Sequence, residues 1–166
     1  MVEAARNFPV IMQNKTDQSW MSIAIELAKQ AGESGEVPVG AVLILDDKVI
    51  GKGRNQSIEL NDPSAHAEIQ ALREAGSKIG NYRLNRSKIY VTIEPCTMCI
   101  GALVHARIEK LIFGAREPKS GAVSYLNDIR EKNSFNHRFK VIEGVLEDEC
   151  SQLMRNFFRA RRKNRC

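Results

Sequence analysis

No stretch of this chain approaches the roughly 18 consecutive apolar residues of a membrane-spanning helix, so no membrane partner is expected. Its opening residues, 1–14, mix polar and apolar side chains with an acid at Glu3. They lack the long apolar run of a secretory signal, and a cytoplasmic location is the expectation. Cysteine is scarce, four in 166 residues. A chain of that length buries a core without covalent staples, and nothing marks it for export, so two disulfides are not expected. There is no internal repeat, no low-complexity tract and no inter-domain linker. The composition, 43% hydrophobic and 27% charged, is that of an ordinary globular protein. We expect an N-terminal extension over residues 1–15, flexible, and one domain over 16–166.

Net basic charge is absent from most of the chain and concentrated at one end. Arg155, Arg159, Arg161, Arg162, Lys163 and Arg165 stand in the last sixteen residues with no acid among them. They contribute +6 to a net charge of +5, which leaves −1 for the other 150 residues. A basic helical end is an electrostatic footprint for phosphate. The plainer reading is a solvated helix C-terminus whose cations complement the dipole.

Periodicity gives a coarse outline. Thr16 or Asp17 can cap a helix with Met21, Ile23, Ala24, Leu27, Ala28 and Ala31 at helical spacing, ended by Gly32 and Gly35. Val39 to Leu45 reads as a buried strand. Asp46-Asp47-Lys48 turns the chain, and Val49 to Gly53 returns as a second strand. Asp62-Pro63 opens a helix through His66, Glu68, Ile69, Ala71 and Leu72 that Gly76 closes. A strand over Ile89–Ile93 is followed by a helix that Pro95 opens, and a fourth strand covers Leu111–Phe113. Val123–Ile129 reads as a short helix and Phe139–Ile142 as a fifth strand. Asp148 starts a final helix with Leu153, Met154, Phe157 and Phe158 inward and Cys150 as a buried thiol. Alternating helices and strands imply a layered α/β domain.

Two short motifs carry the chemistry. His66-Ala67-Glu68 is followed by Pro95-Cys96-Thr97-Met98-Cys99. His66, Cys96 and Cys99 are ligands that zinc takes readily, and a catalytic zinc site keeps three protein ligands and one open position. Two thiolates and one imidazole cancel the charge of Zn²⁺. A water in the open position then ionises near neutral pH. Glu68 is spare as a ligand and available to move protons. Cys96 and Cys99 sit in the first turn of a helix, where free N–H groups stabilise thiolates. His66 and Glu68 present a difficulty. In a regular helix residues i and i+2 point about 200° apart, so they converge only if the chain is irregular there. Asn55 offers donors and an acceptor suited to a purine edge, or is a turn residue after a strand. A closed structural zinc site would need a fourth ligand, for which His105, His137 and Cys150 are the candidates.

The H-x-E and P-C-x-x-C pair is the signature of zinc-dependent nucleobase deaminases as a superfamily. More of the chain resembles one family within it, the bacterial-type tRNA-specific adenosine deaminases. The resemblance lies in Glu36-Val37-Pro38-Val39-Gly40-Ala41-Val42, in Asn55 after Gly51-Lys52-Gly53-Arg54, and in Asp62 to Glu68. It continues through Asn81-Tyr82-Arg83-Leu84 and Tyr90 to Cys99. Phe113-Gly114-Ala115-Arg116 and the ending Phe157-Phe158-Arg159-Ala160-Arg161-Arg162 complete it. It implies a three-layer α/β/α cytidine deaminase-like fold with a five-stranded mixed sheet, and a homodimer. It implies one zinc per subunit on His66, Cys96 and Cys99, with Glu68 as catalytic proton carrier. Asn55, Val39, Ala67, Glu94 and Pro95 would surround the base. Arg116, Lys119, Phe157, Arg159, Arg161 and Arg162 would contact the anticodon stem-loop of tRNA, where the wobble adenosine (34) becomes inosine. Two other classes remain open: a deaminase of a free base or nucleoside, and a non-catalytic zinc-containing RNA-binding subunit.

Overall fold

The computed structural model describes residues 4–126 and 135–165. Helix α1 (Ala4–Glu33) precedes strands β1 (Gly40–Leu45) and β2 (Lys48–Arg54). Helix α2 (Ala67–Ile79), strand β3 (Lys88–Ile93), helix α3 (Thr97–His105) and strand β4 (Lys110–Ala115) follow. A 3₁₀ turn (Val123–Tyr125), strand β5 (Lys140–Ile142) and helix α4 (Glu147–Lys163) complete the order. The sheet runs β2-β1-β3-β4-β5, antiparallel on its first two pairings and parallel on its last two. The expected five-stranded mixed sheet is therefore present.

The alternation of side chains along each strand builds the layers. Ala41, Leu43, Ile89, Val91, Leu111 and Phe113 face one side, where they meet Ala67, Ala71 and Ala75 of α2 and Ile100, Leu103 and Val104 of α3. Val42, Ile44, Tyr90 and Ile112 face the other, against Met21, Ala24 and Ile25 of α1 and Cys150 of α4. Strand glycines let the helices approach closely. A Cβ on Gly40 would lie 2.0 Å from the Ala24 carbonyl of α1. A Cβ on Gly53 would lie 2.0 Å from the Ala67 carbonyl of α2, and one on Gly51 2.3 Å from that of Ala71. Between β1 and β2, Asp46 (φ 49°) and Asp47 (φ 56°) both take left-handed backbone, as a two-residue hairpin turn requires.

Several boundaries differ from the sequence-based expectation. Helix α1 is continuous past Thr16 and Asp17. Asp17 caps nothing there and instead accepts a 2.6 Å hydrogen bond from the Tyr90 hydroxyl. Helix α2 starts at Ala67, five residues after Asp62. The Asp62 carboxylate serves a local turn, accepting from the Ser64 N–H at 2.8 Å and its hydroxyl at 2.7 Å. Gly76 lies inside α2, which Gly80 ends in left-handed conformation, its N–H donating to the Gly76 carbonyl at 2.8 Å. Of the helix expected over Val123–Ile129, the last three positions lie outside the described residues, as does Cys166.

Helix α4 departs most. Cys150 is buried as expected, and Leu153 and Met154 pack against the core. Phe157 and Phe158 join neither core cluster: Phe157 is half-buried and Phe158 is exposed. Ile100, Leu103 and Val104 of α3 are buried within the chain, and Ala102 is half-buried. No helix among the described residues is long and apolar enough to cross a membrane.

Candidate active and metal site

Two helix starts and one strand end make the site. His66 is the N-cap of α2, with extended backbone (φ −75°, ψ 157°). Its side chain therefore does not follow the helical rotation that would have sent it away from Glu68. Cys96 is likewise the N-cap of α3 (φ −77°, ψ 173°), one residue outside the expected first turn. Cys99 is at the third helical position, the one an N-cap side chain reaches back to. The three ligand atoms lie within 4.8 Å of one another, and no other His, Cys, Asp or Glu of the described residues joins the group. Cys96 Sγ and Cys99 Sγ are each 3.6 Å from His66 Nδ1. Tetrahedral bonds of about 2.05 Å to nitrogen and 2.3 Å to sulfur separate those atoms by about 3.6 Å, so both nitrogen–sulfur separations suit a shared metal ion.

The candidates for a fourth protein ligand are elsewhere. His137 donates from Nε2 to the Ile108 carbonyl at 2.7 Å. Cys150 belongs to the core on the α1 side of the sheet, and His105 is exposed. The carboxylate that is near, Glu68, is only 3% exposed and stands outside the ligand group.

Without a metal the four groups share protons unevenly. Cys99 donates to Cys96 and, with help from His66, holds its thiol down to about 3. The same hydrogen bond, then burial, pushes Cys99 well above the ordinary thiol range. His66 is raised above 6.5, first by its hydrogen bond to Cys96. Burial pushes Glu68 up to about 7. A dication at this place favours thiolate on both sulfurs and draws the carboxyl down again.

The residues expected around a base divide into two groups. The Asn55 N–H donates to the Val39 carbonyl at 3.1 Å, and its Oδ1 accepts from the Ala67 N–H at 2.9 Å. Asn55 thus ties β1 to the start of α2, and its side-chain NH₂ is the group left for a ligand. Glu94 is 5% exposed, and both its oxygens are taken. Oε2 accepts from Glu117 N–H and Oε1 from Val123 N–H, each at 3.0 Å. A Cβ on Gly121 would lie 2.4 Å from that carboxylate. The Ala122 N–H donates to the Pro95 carbonyl at 2.9 Å, so the segment 116–123 is fastened to the ligand segment Pro95–Cys96.

Sequence reading missed Glu36. It is 3% exposed and accepts from the N–H groups of Ile58 (2.8 Å) and Glu59 (2.9 Å), which fixes the loop leading to His66. A lone acid directly before a buried apolar strand was the available signal.

The expected RNA contacts form a separate feature. Arg116, Lys119, Phe158, Arg159, Arg161 and Arg162 line one groove of about 760 Å³ between the 115–119 loop and α4. Phe157 does not line it, and the Arg161 guanidinium covers its ring at 4.8 Å. Arg161 also donates to the Gly35 carbonyl at 2.8 Å, and Arg116 pairs with Glu143.

Comparison with known proteins decides the relationship. The chain is 47% identical over 155 residues to the tRNA-specific adenosine deaminase of Haemophilus influenzae, a match covering 93% of this chain and 90% of that one. The chain belongs to the tRNA-specific adenosine deaminase family. The family's Bacillus subtilis member is 42% identical over 149 residues, 90% and 92% of the two chains. The model of the MafB19-like deaminases matches residues 15–162. A solved structure from a study of A-to-I editing by tRNA:A34 deaminases at the wobble position of transfer RNA superposes with a TM-score of 0.78 at 43% identity. That match covers 81% of this chain and 98% of the other. A guanine deaminase from Nitrosomonas europaea shares the fold at 22% identity, with a TM-score of 0.73 over 84% and 83% of the chains. Family membership and the metal-ready His66, Cys96 and Cys99 group rest on independent observations.

Proposed function

We propose that this protein hydrolyses the 6-amino group of the adenosine at wobble position 34 of tRNA, giving inosine and ammonia, with one zinc ion per subunit. The observation that carries this reading is the division of labour at the site. Three donors fit a metal, and a buried carboxyl beside them is not among them.

Zinc would be held by His66, Cys96 and Cys99 and would supply a water acidified to near neutrality. Glu68 takes a proton from that water. It delivers that proton to N1 of the purine as the water oxygen adds to C6, then takes the remaining proton from that oxygen and passes it to the departing ammonia as the C6–N bond breaks. One water is consumed for each ammonia released. Burial suits Glu68 to this exchange, since it keeps the acid and base forms closer in energy than in an exposed carboxyl. Asn55 orients the base through its side-chain amide. The base must leave its stack to arrive, which a loop nucleotide does at low cost.

The Arg159, Arg161, Arg162, Arg116 and Lys119 groove holds phosphates of the anticodon stem-loop, and Phe158 offers the stacking face that Phe157 does not. A homodimer forms across the outer faces of α2 and α3. There Leu72, Tyr82 and Ala102 line a shallow groove of about 660 Å³, and Met98 is 39% exposed. We place the protein in the cytoplasm, where its substrate is.

Mass-spectrometric nucleoside analysis of tRNA incubated with the pure protein tests the reading, with inosine as the expected product. Deamination of free nucleosides at a rate matching or exceeding that on tRNA would replace it with the small-molecule alternative.

A further inference from the structure

A second basic groove, of about 570 Å³, lies across the starts of β3, β4 and β5. Arg86, Arg107, Arg138 and Lys140 line it, with Glu109 as its one carboxylate. That is a local charge of +3 within the first 150 residues, which together carry −1. Among the described residues, Arg86 is the one of these four with an ion pair, to Asp46 at 3.2 Å with both side chains exposed.

The groove is a built surface. Its floor is laced across three strand starts, with Glu109 N–H donating to the Ser87 carbonyl at 2.8 Å and Lys140 N–H to the Glu109 carbonyl at 3.0 Å. His137 is pinned through its ring to Ile108. Arg86 (φ 63°) and Arg107 (φ 60°) both hold left-handed backbone, which disfavours any side chain with a Cβ. Glycine or asparagine would relieve that strain, yet both positions carry arginine and both face the groove. Charge, rather than backbone ease, describes what these positions supply.

Its location sets it apart from the catalytic centre. Glu94, Pro95 and Cys96 follow the far end of β3, and six residues of strand span about 20 Å. A nucleic acid is the ligand whose phosphates repeat over that distance. We propose that this groove is a second phosphate-binding surface for the tRNA substrate, engaging backbone away from the nucleotide being deaminated. This rests on the tRNA reading above.

The test replaces Arg86, Arg138 and Lys140 with Gln, leaving the half-buried Arg107 in place. Each phosphate released from a cation flattens the salt dependence of binding by about 0.7–0.9 log units. The variant is expected to raise KM for full-length tRNA about tenfold and to lower the salt slope by about two, with kcat and zinc content unchanged. Combining it with Gln at Arg159, Arg161 and Arg162 should add the two slope changes if both grooves hold the same RNA. An unchanged KM and slope would overturn the inference. So would weakened binding of an unrelated RNA with KM and salt slope for tRNA unchanged, which means that a different RNA occupies the groove. Inosine formed by the wild type alongside an unaltered variant removes this inference alone. Absence of inosine from the wild type removes the tRNA reading itself.

Discussion

Replacing Glu94 with Gln removes one acceptor from a buried clamp and puts a donor in its place. The carboxylate accepts two backbone N–H groups, from Glu117 and Val123, at 3.0 Å each, and is 5% exposed. An amide has one oxygen, so one of those N–H groups must face the NH₂. Leaving a buried donor unsatisfied costs about 1–3 kcal/mol, and a hydrogen bond to a charged group is worth about 1.5–3. Gly121 adds to the cost, since its backbone is pressed against the carboxyl and leaves little room for a new rotamer. The sum is about 2–4 kcal/mol. For a chain of this size each kcal/mol lowers Tm by about 2–4 °C, so Glu94→Gln should melt about 5–15 °C below wild type. Differential scanning calorimetry of the zinc-loaded protein measures it. Glu94→Asp should not recover the loss, because the shorter side chain cannot reach both N–H groups. A Tm within about 2 °C of wild type, on that same scale, would refute the clamp and return Glu94 to the base-contacting role expected from the family resemblance.

Glu68→Gln should lower kcat on tRNA by at least about 10²–10⁴-fold while RNA binding and zinc content persist, because the amide keeps the shape and cannot carry the proton; residual activity within about tenfold of wild type would assign the proton work elsewhere. The same substitution has a pH signature in metal-free protein. Burial raises the folded pKa of Glu68 to about 7, above its ordinary 4.5, so folding loses stability as pH rises through that window. Gln removes the loss, and the variant should gain on wild type between about pH 5 and pH 8 in urea unfolding. Cys96→Ala should lose zinc by metal analysis, and zinc retained in that variant would dismiss the three-ligand site. Gln at Arg159, Arg161 and Arg162 should raise KM for an anticodon stem-loop and flatten its salt slope by up to about 0.7 per phosphate, with little change in kcat. An unchanged slope would leave α4 a merely solvated helix end.

The grouping of His66, Cys96 and Cys99 was legible from residue type and the family resemblance, whereas spacing alone left the convergence of His66 and Glu68 open. The five strands were legible because alternation and apolar runs report burial directly. What failed was register at the helix starts. Asp62-Pro63 and Pro95 are strong opening signals, but the chain does not enter the helix at either: α2 begins only at Ala67 and α3 at Thr97. Those extra residues free His66 and Cys96 from helical rotation. The clamps of Glu36 and Glu94 were hidden for another reason. Their partners are backbone N–H groups more than twenty residues away, and a backbone donor leaves no mark in a sequence. Phe157 and Phe158 misled because helical spacing shows which side of a helix is apolar and not what lies against that side.

The gap between β2 and α2 has a consequence for how such an enzyme can change. At Gly51 and Gly53 the atoms a side chain would strike first are main-chain atoms of α2, which cannot swing aside as a rotamer would. Helix α2 is held at a fixed distance from the sheet, and with it the residues that start it, His66 and Glu68. Redirecting the reaction to another base by moving that helix would break the metal site before it reshaped the pocket. Selection or design acting on this chain must therefore work at the rim: the Asn55 amide, the loop that Glu36 fastens, and the segment that Glu94 ties to Pro95. Those parts can be exchanged while the machinery behind them stays in place.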